Sequence, residues 1–400
     1  MSKIKVNRLE NTSTASGGID IDTSGHVKVD GLQLPTTGPL SNRNLIINGA
    51  MQVAQRGTQV TGVTGVGFRT CDRFSLFLSN LGTWTVEQST DAPDGFSTSF
   101  KVLCTTADAS PGADDRCNVS YSLEGYDCQR ILNTSTTTHP LQLSFWVKSN
   151  RTGDASIGLF QPDNSLRLFT ASYNISAVNT WQQVTVPIPV DTAAAFNNDS
   201  GAGLAIEWWL NGGSSYEGGT HSAGWVAFDS TARNATNLGV GGAVNDYWQI
   251  TGVQLEVGEK ATPFEHRSFA DDLNKCKRYL QLVNPNNGGG YAVNHWAFRD
   301  SGNWIINLWH YPEMRAAPSL IAIGNNGLTG LPSSQVGLYN ISTGSGVGFD
   351  NNTGQWDITM ATPQRSTLRF TGTNLQGSTG NIAGCDSMIV NTLLFVSAEL

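Results

Sequence analysis

The chain is poor in charge, and its shortages narrow the search before any motif is read. Of its 400 residues only 14% are Asp, Glu, Lys or Arg. No apolar run approaches the roughly 20 residues that span a bilayer as a helix, so membrane insertion is not expected. The opening M-S-K-I-K-V-N-R-L-E has no apolar core of the kind a secretory leader carries, which points to synthesis in the cytoplasm. A basic face is missing too. Lys and Arg number 5 against 4 Asp and Glu in 1–44, 11 against 19 in 45–263, and 8 against 9 in 264–400. The middle stretch alone therefore carries 11 − 19 = −8, and nucleic acid is not an expected partner.

Cysteine is scarce and unevenly spaced. Cys71, Cys104, Cys117, Cys128, Cys276 and Cys385 make no C-x-x-C pair for zinc or redox chemistry. Buried thiols are expected, with a disulfide among Cys104, Cys117 and Cys128 as the alternative. Catalytic signatures are absent as well: no G-x-S-x-G, no H-E-x-x-H, no P-loop and no dinucleotide glycine pattern. None of the six histidines stands at ligand spacing with a second strong ligand. No carboxylate pair is singled out for glycoside cleavage, and the repetition of a parallel β-helix is missing. The expectation is a protein that is not an enzyme and needs no cofactor.

Turn formers are plentiful, with Gly at 44 and Asn, Ser and Thr throughout, separating short β-branched and aromatic runs. Strands are predicted at Cys71–Leu78, Thr83–Gln88, Ser99–Cys104, Asn118–Leu123, Leu141–Lys148, Ser156–Phe160, Trp181–Pro187, Leu204–Leu210 and Trp248–Leu255. In the fifth, Leu141, Leu143, Phe145 and Val147 alternate with Gln142, Ser144, Trp146 and Lys148. Such strands without helices predict a jelly-roll β-sandwich over 45–263. In 1–44, Ile19 and Ile21 face Val27 and Val29 in a hairpin pattern, followed by a Pro/Gly linker. A lone hairpin is marginal in water, so this segment reads as an attachment piece. One short connecting helix is expected within 264–284. Ser268 caps it, and Phe269, Leu273, Cys276 and Leu280 form its apolar stripe. A smaller C-terminal β-domain fills 285–400. The fold class expected is all-β.

Two aromatic clusters stand out as binding candidates. The first holds Trp208, Trp209, Tyr216, Glu217, His221 and Trp225; the second, in the last domain, holds His295, Trp296, Trp304 and Trp309. Adjacent Trp208 and Trp209 must point to opposite faces of a strand, so one belongs to a core. The other, with Tyr216, offers a flat platform on which the C–H face of a sugar can pack while Glu217 or His221 bonds its hydroxyls. Packing in a core or at a subunit interface is the competing explanation for both clusters. Asp246 is a candidate for a structural Ca²⁺, against the ordinary role of an aspartate in a turn. Glu265, His266 and Arg267 look by eye like an active site, yet a hydrogen-bonded seam between domains accounts for them equally.

Taken together, N-L-I-I-N-G-A-M-Q-V-A-Q-R-G, L-S-F-W-V-K-S, N-T-W-Q-Q-V-T-V-P-I and W-Q-I-T-G-V-Q-L-E-V-G-E-K-A-T-P-F-E-H-R-S resemble bacteriophage tail-fibre and virion structural proteins. L-N-K-C-K-R-Y-L-Q and the terminal S-A-E-L add to the likeness, which covers about 44–282 well and the rest more loosely. The resemblance implies a carbohydrate-binding-like jelly roll displayed on the virion, a homotrimer, and contact with host surface polysaccharide or lipopolysaccharide. It implies that 1–44 binds other virion proteins; it supplies no binding residues. Two further classes stay open: a purely structural head-decoration, collar or fibre-connecting protein, and a capsule-degrading enzyme.

Overall fold

The computed structural model describes residues 8–10, 18–21, 27–29, 32–33, 41–131, 139–163, 166–193, 195–284, 291–293, 297–300, 303–309, 312–323, 336–340, 345–347, 355–371, 387–390 and 393–400. They fall into two compact units that part between Arg267 and Ser268, with the short stretches Val53–Gly57 and Thr70–Arg73 belonging to the second.

The first unit begins with an antiparallel meander of β1 (Arg8–Glu10), β2 (Gly18–Ile21), β3 (Val27–Val29) and β4 (Leu32–Gln33). Its register sets Ile19 opposite Val29 and Ile21 opposite Val27, as the alternation predicts. Leu9, Ile19 and Ile21 stay exposed.

The rest of this unit is an antiparallel jelly-roll sandwich. Its strands are β5 (Gln59–Val63), β6 (Gly67–Phe68), β7 (Ser75–Ser79), β8 (Thr83–Ser89), β9 (Ser99–Thr106), β10 (Arg116–Glu124), β11 (Leu141–Ser149), β12 (Gly153–Gln161), β13 (Arg167–Ile175), β14 (Gln182–Ile188), β15 (Ala202–Gly212), β16 (Val226–Ala227) and β17 (Tyr247–Val257). One sheet runs β16-β13-β12-β15-β10-β7-β6, the other β14-β11-β17-β9-β8-β5. Each predicted strand of 45–263 is present with shifted ends, and β13, which the prediction lacks, sits between β12 and β16. The core between the sheets is aromatic. Trp208 packs near Phe74 and edge-on to Phe145, at 6.3 and 5.9 Å, and Trp248 Nε1 donates across the core to Tyr173 Oη at 3.2 Å.

Strand β17 shows how a glycine resets a pattern. Simple alternation from Trp248 would carry Gly252 and Gln254 to the core face. Instead the register with β11 shifts: Ile250 pairs with Val147, but Leu255 pairs with Leu143. Trp248 and Ile250, then Val253 and Leu255, are all fully buried. Gly252 makes this bulge with φ 61°, and a Cβ there would lie 2.7 Å from Phe96 and 2.9 Å from Trp146.

The bulge also receives the motif at the start of the sandwich. Asn44 Nδ2 donates to Val253 O at 3.0 Å, while its Oδ1 accepts from Ile46 N and Leu255 N at 2.9 and 3.2 Å. Glu265 Oε2 accepts from Asn44 N at 3.0 Å, and Arg267 donates to Ile46 O at 2.8 Å and to Asn44 O. His266 meets Phe264 edge-on at 4.8 Å and Phe96 at a tilt at 5.2 Å. Burial pushes the Glu265 carboxyl up, but the amides of Asn44 and Arg43, with Arg267 and Arg43, outweigh it and hold it low. The cluster is a clasp. Arg267→Ala should lower unfolding free energy by about 2–3 kcal/mol, because two buried carbonyls lose a charged donor. Urea denaturation measures this, and a loss under about 0.5 kcal/mol would contradict the clasp.

In the second unit Ser268 caps α1 (Phe269–Cys276), its Oγ accepting from Asp271 N at 3.2 Å. The helix ends earlier than its apolar stripe predicts. Leu280 belongs to β18 (Leu280–Asn284), which pairs with Leu393–Ser397, so strand hydrogen bonds replace further helical turns. Phe269, expected on the buried stripe, is 53% exposed. The remaining described strands form small antiparallel sheets, ordered so that Leu393–Ser397 lies between Leu280–Asn284 and Ser319–Ile323. Around the helix, Glu399 accepts from Arg73 at 2.7 Å and from Arg56 at 3.1 Å. Neighbouring Asp72 is pushed up to about 7 by burial, against the pull of Arg56 and Gln55.

Candidate functional site

The outer face of the seven-stranded sheet, turned away from the core, gathers the most suggestive side chains. On β10, Cys117, Val119, Tyr121 and Leu123 point inward and are buried, so Arg116, Asn118, Ser120 and Ser122 point outward. Register extends these rows across the sheet. Phe77, Asn118 and Trp209 form one row; Ser75, Ser120, Glu207 and Gly158 form the next; Ser122, Ala205, Phe160 and Leu168 form a third. The result is a floor of small hydroxyl residues with rings at either side.

A loop from Gly213 to Gly242 folds over part of this face. Tyr216 packs on Trp209 at 5.0 Å. Arg233 enters beneath it and grips Glu207 through hydrogen bonds of 2.6, 2.8 and 3.1 Å, with both side chains over 90% buried. Its guanidinium also lies 4.9 Å from the Trp209 ring, 5.6 Å from Tyr216 and 5.5 Å from Phe228. Arg116 continues the series, 5.6 Å from Tyr216 and 3.8 Å from Phe77. Phe160 and Phe228 meet edge-on at 6.5 Å at the other end. Cations and rings thus alternate across the sheet in a ladder, each cation facing the negative face of a ring. Phe77, Arg116, Tyr216 and Phe160 are half-buried, while Phe228 is exposed.

The structure separates the residues of the first sequence cluster. Trp208 and Trp209 are both fully buried, one in the core and the other under the loop. Neither offers an open platform, which corrects the expectation for this pair. The physical reason is that the 213–242 loop covers the face that Trp209 would otherwise present. Tyr216 stays on the surface as part of the ladder. Glu217 accepts from Asn237 Nδ2 at 2.5 Å and lines a polar cleft of about 570 Å³ with Asp108, Arg151 and Asn211. His221 Nε2 lies 3.1 Å from Thr236 Oγ1; burial pushes its imidazole down from the ordinary value, with Asp154 opposing. Trp225 is tied down by Nε1 donating to Pro189 O at 2.8 Å.

In the second cluster, His295 and Trp296 lie outside the described residues. Trp304 and Trp309 stand on the strand Asn303–Trp309, in register with Phe370 and Arg365. Asp246 acts as a turn residue. Its Oδ2 accepts from Gly241 N and Ala243 N, each at 3.0 Å, and pairs with Arg151 at 2.7 Å. That carboxylate already faces a cation and two N–H donors, the opposite of what a Ca²⁺ ligand meets. Among the described residues no group of three His, Cys, Asp or Glu is placed to hold a metal. The five described cysteines are buried, and no disulfide joins them; Cys385 lies outside the described residues.

Sequence reasoning missed Phe77, Arg116, Phe160, Phe228 and Arg233. The signal for Arg116 was present in R-C-N-V-S-Y-S-L, where polar and apolar residues alternate strictly. Phe228 and Arg233 sit in an irregular loop, where no periodicity exists to read.

No protein-family model matches the chain, nor does any curated protein. Among solved structures it is similar to the enzymatically active domain of tailspike protein 4 from bacteriophage CBA120, at 17% identity and TM-score 0.28. That match covers 54% of this chain and only 21% of the tailspike chain. It is also similar to the family 11 carbohydrate-binding module of the Clostridium thermocellum cellulase Lic26A-Cel5E, at 11% identity, over 52% of this chain and 99% of the module, with TM-score 0.26. A third is TmCBM61 in complex with β-1,4-galactotriose, at 7% identity over 54% and 99%, with TM-score 0.25.

Proposed function

We propose that this chain is a phage virion protein, a tail fibre or receptor-binding protein, that docks on host surface glycans without cleaving them. The observation that carries the docking reading is the ladder of half-exposed rings and arginines over a floor of serines. Rings accept the C–H faces of sugars, hydroxyl and guanidinium groups bond their oxygens, and no nucleophile or general base is arranged among them. Display on the virion, attachment through 1–44 and trimeric assembly rest on the sequence resemblance. Three copies on one particle would raise a weak single-site affinity through avidity.

Purified full-length protein should bind host cells or their extracted polysaccharide and sediment as a trimer. The Phe77→Ala and Phe228→Ala variants should each weaken glycan binding about five- to tenfold, the worth of one ring contact, with unchanged thermal midpoint. Unaltered binding by the double variant moves the site off this face. Release of reducing sugar during the same incubation overturns the non-enzymatic reading. If the protein binds only other virion components, its role is structural.

A further inference from the structure

The arginines of the sandwich are paired with acceptors, as a chain rich in carboxylates allows. Arg151 meets Asp246 at 2.7 Å, Arg167 meets Asp191 at 2.7 Å, and Arg233 meets Glu207 at 2.6 Å. Arg116 departs from this. Its guanidinium carbon lies over the Phe77 ring, 3.8 Å from the centroid, and the group makes no hydrogen bond or ion pair with the described residues. Glu207, the nearby carboxylate, is already engaged by Arg233. Stacking uses the face of the guanidinium and leaves its N–H edge free, and a half-buried cation without acceptors is costly to leave so.

A second observation lies one step along the same face. Asn118, two residues further on β10, is fully buried, and neither its Nδ2 nor its Oδ1 has a partner among the described residues. Buried amides without partners are rare, because each unmet group keeps the cost of its lost hydration. Arg116 and Asn118 thus place unmet donors and an unmet acceptor side by side, flanked by Phe77 and Tyr216.

We propose that this corner of the outer face binds an acid-bearing saccharide, with Arg116 taking its anionic group edge-on, Asn118 bonding a neighbouring oxygen, and Phe77 and Tyr216 bracketing the sugar ring. The fork of N–H donors fits a carboxylate or a phosphate in two parallel bonds, which a neutral hydroxyl cannot reproduce. The inference deepens the glycan-docking reading and depends on it.

The test titrates full-length protein with oligogalacturonate, with a phosphomannan oligosaccharide and with neutral galacto-oligosaccharides, beside extracted host polysaccharide. At least one acidic probe is expected to bind about tenfold tighter than the neutral ones, the two acidic arms separating carboxylate from phosphate. Arg116→Gln should abolish that preference, bringing the affinity for the acidic probes down to that for the neutral ones, and Arg116→Lys should keep part of it, because the charge remains but the fork is lost. Thermal midpoints establish that both variants fold. Equal binding of acidic and neutral probes, or an acid preference that survives Arg116→Gln, overturns the proposal and leaves glycan docking standing. Retention of no glycan at all overturns both.

Discussion

Glu207→Ala should destabilise the sandwich by about 3–5 kcal/mol, since it strands the Arg233 guanidinium beneath the 213–242 loop without its counter-ion. Both side chains are more than 90% buried and joined by three short hydrogen bonds, so little solvent is at hand to compensate. Trp209 Nε1 loses its acceptor in the same step, because it donates to Glu207 Oε2 at 3.1 Å. The loop is expected to loosen first, and amide exchange over 213–242 should quicken before the strands respond. Replacing the pair together, Glu207→Leu with Arg233→Met, should recover most of the loss, because an apolar pair of similar volume needs no counter-charge. Denaturant midpoints of the two variants decide it. If the single substitution costs under about 1 kcal/mol, the ion pair does not hold the loop.

Trp208→Ala is the second large effect, again about 3–5 kcal/mol, through the cavity it opens between the sheets. Trp208 is fully buried against Phe74 and Phe145. For a sandwich of this size the thermal midpoint should fall by about 10 °C or more. This matters for reading binding experiments. A loss of glycan binding in Trp208→Ala would report lost folding, whereas the same loss in Phe228→Ala, at an exposed ring, would report the site. A Trp208→Ala protein with an unchanged midpoint would refute its place in the core.

Much of this was legible in the residues alone. Strand alternation located the sheets because a side chain on a strand has only two directions, and one of them must be apolar if a core lies there. Leu141, Leu143, Phe145 and Val147 are buried as that rule requires. The Ser268 cap was equally plain, since it depends on residues three apart. Local rules failed where tertiary partners intervened. Helix α1 stopped at Cys276 because Leu280 found a strand to pair with more than a hundred residues later. Arg167–Ile175 went unread as a strand, although it lies within the seven-stranded sheet.

The sequence by itself determined the class of the molecule: short alternating strands of β-branched and aromatic residues, parted by turn formers, that build an all-β sandwich. The meanings of Glu265, His266 and Arg267, and of Trp208 and Trp209, were decided only by the tertiary structure. Glu265 and Arg267 close a clasp on Asn44, 221 residues away from Glu265, while His266 packs against Phe96 and Phe264. The two tryptophans are covered, one by the opposite sheet and one by a returning loop. Burial and partnership are set by long-range contacts, and no local window contains them. The unmatched Arg116 belongs to the same class of fact, because a missing partner can be recognised only once every neighbour is in place.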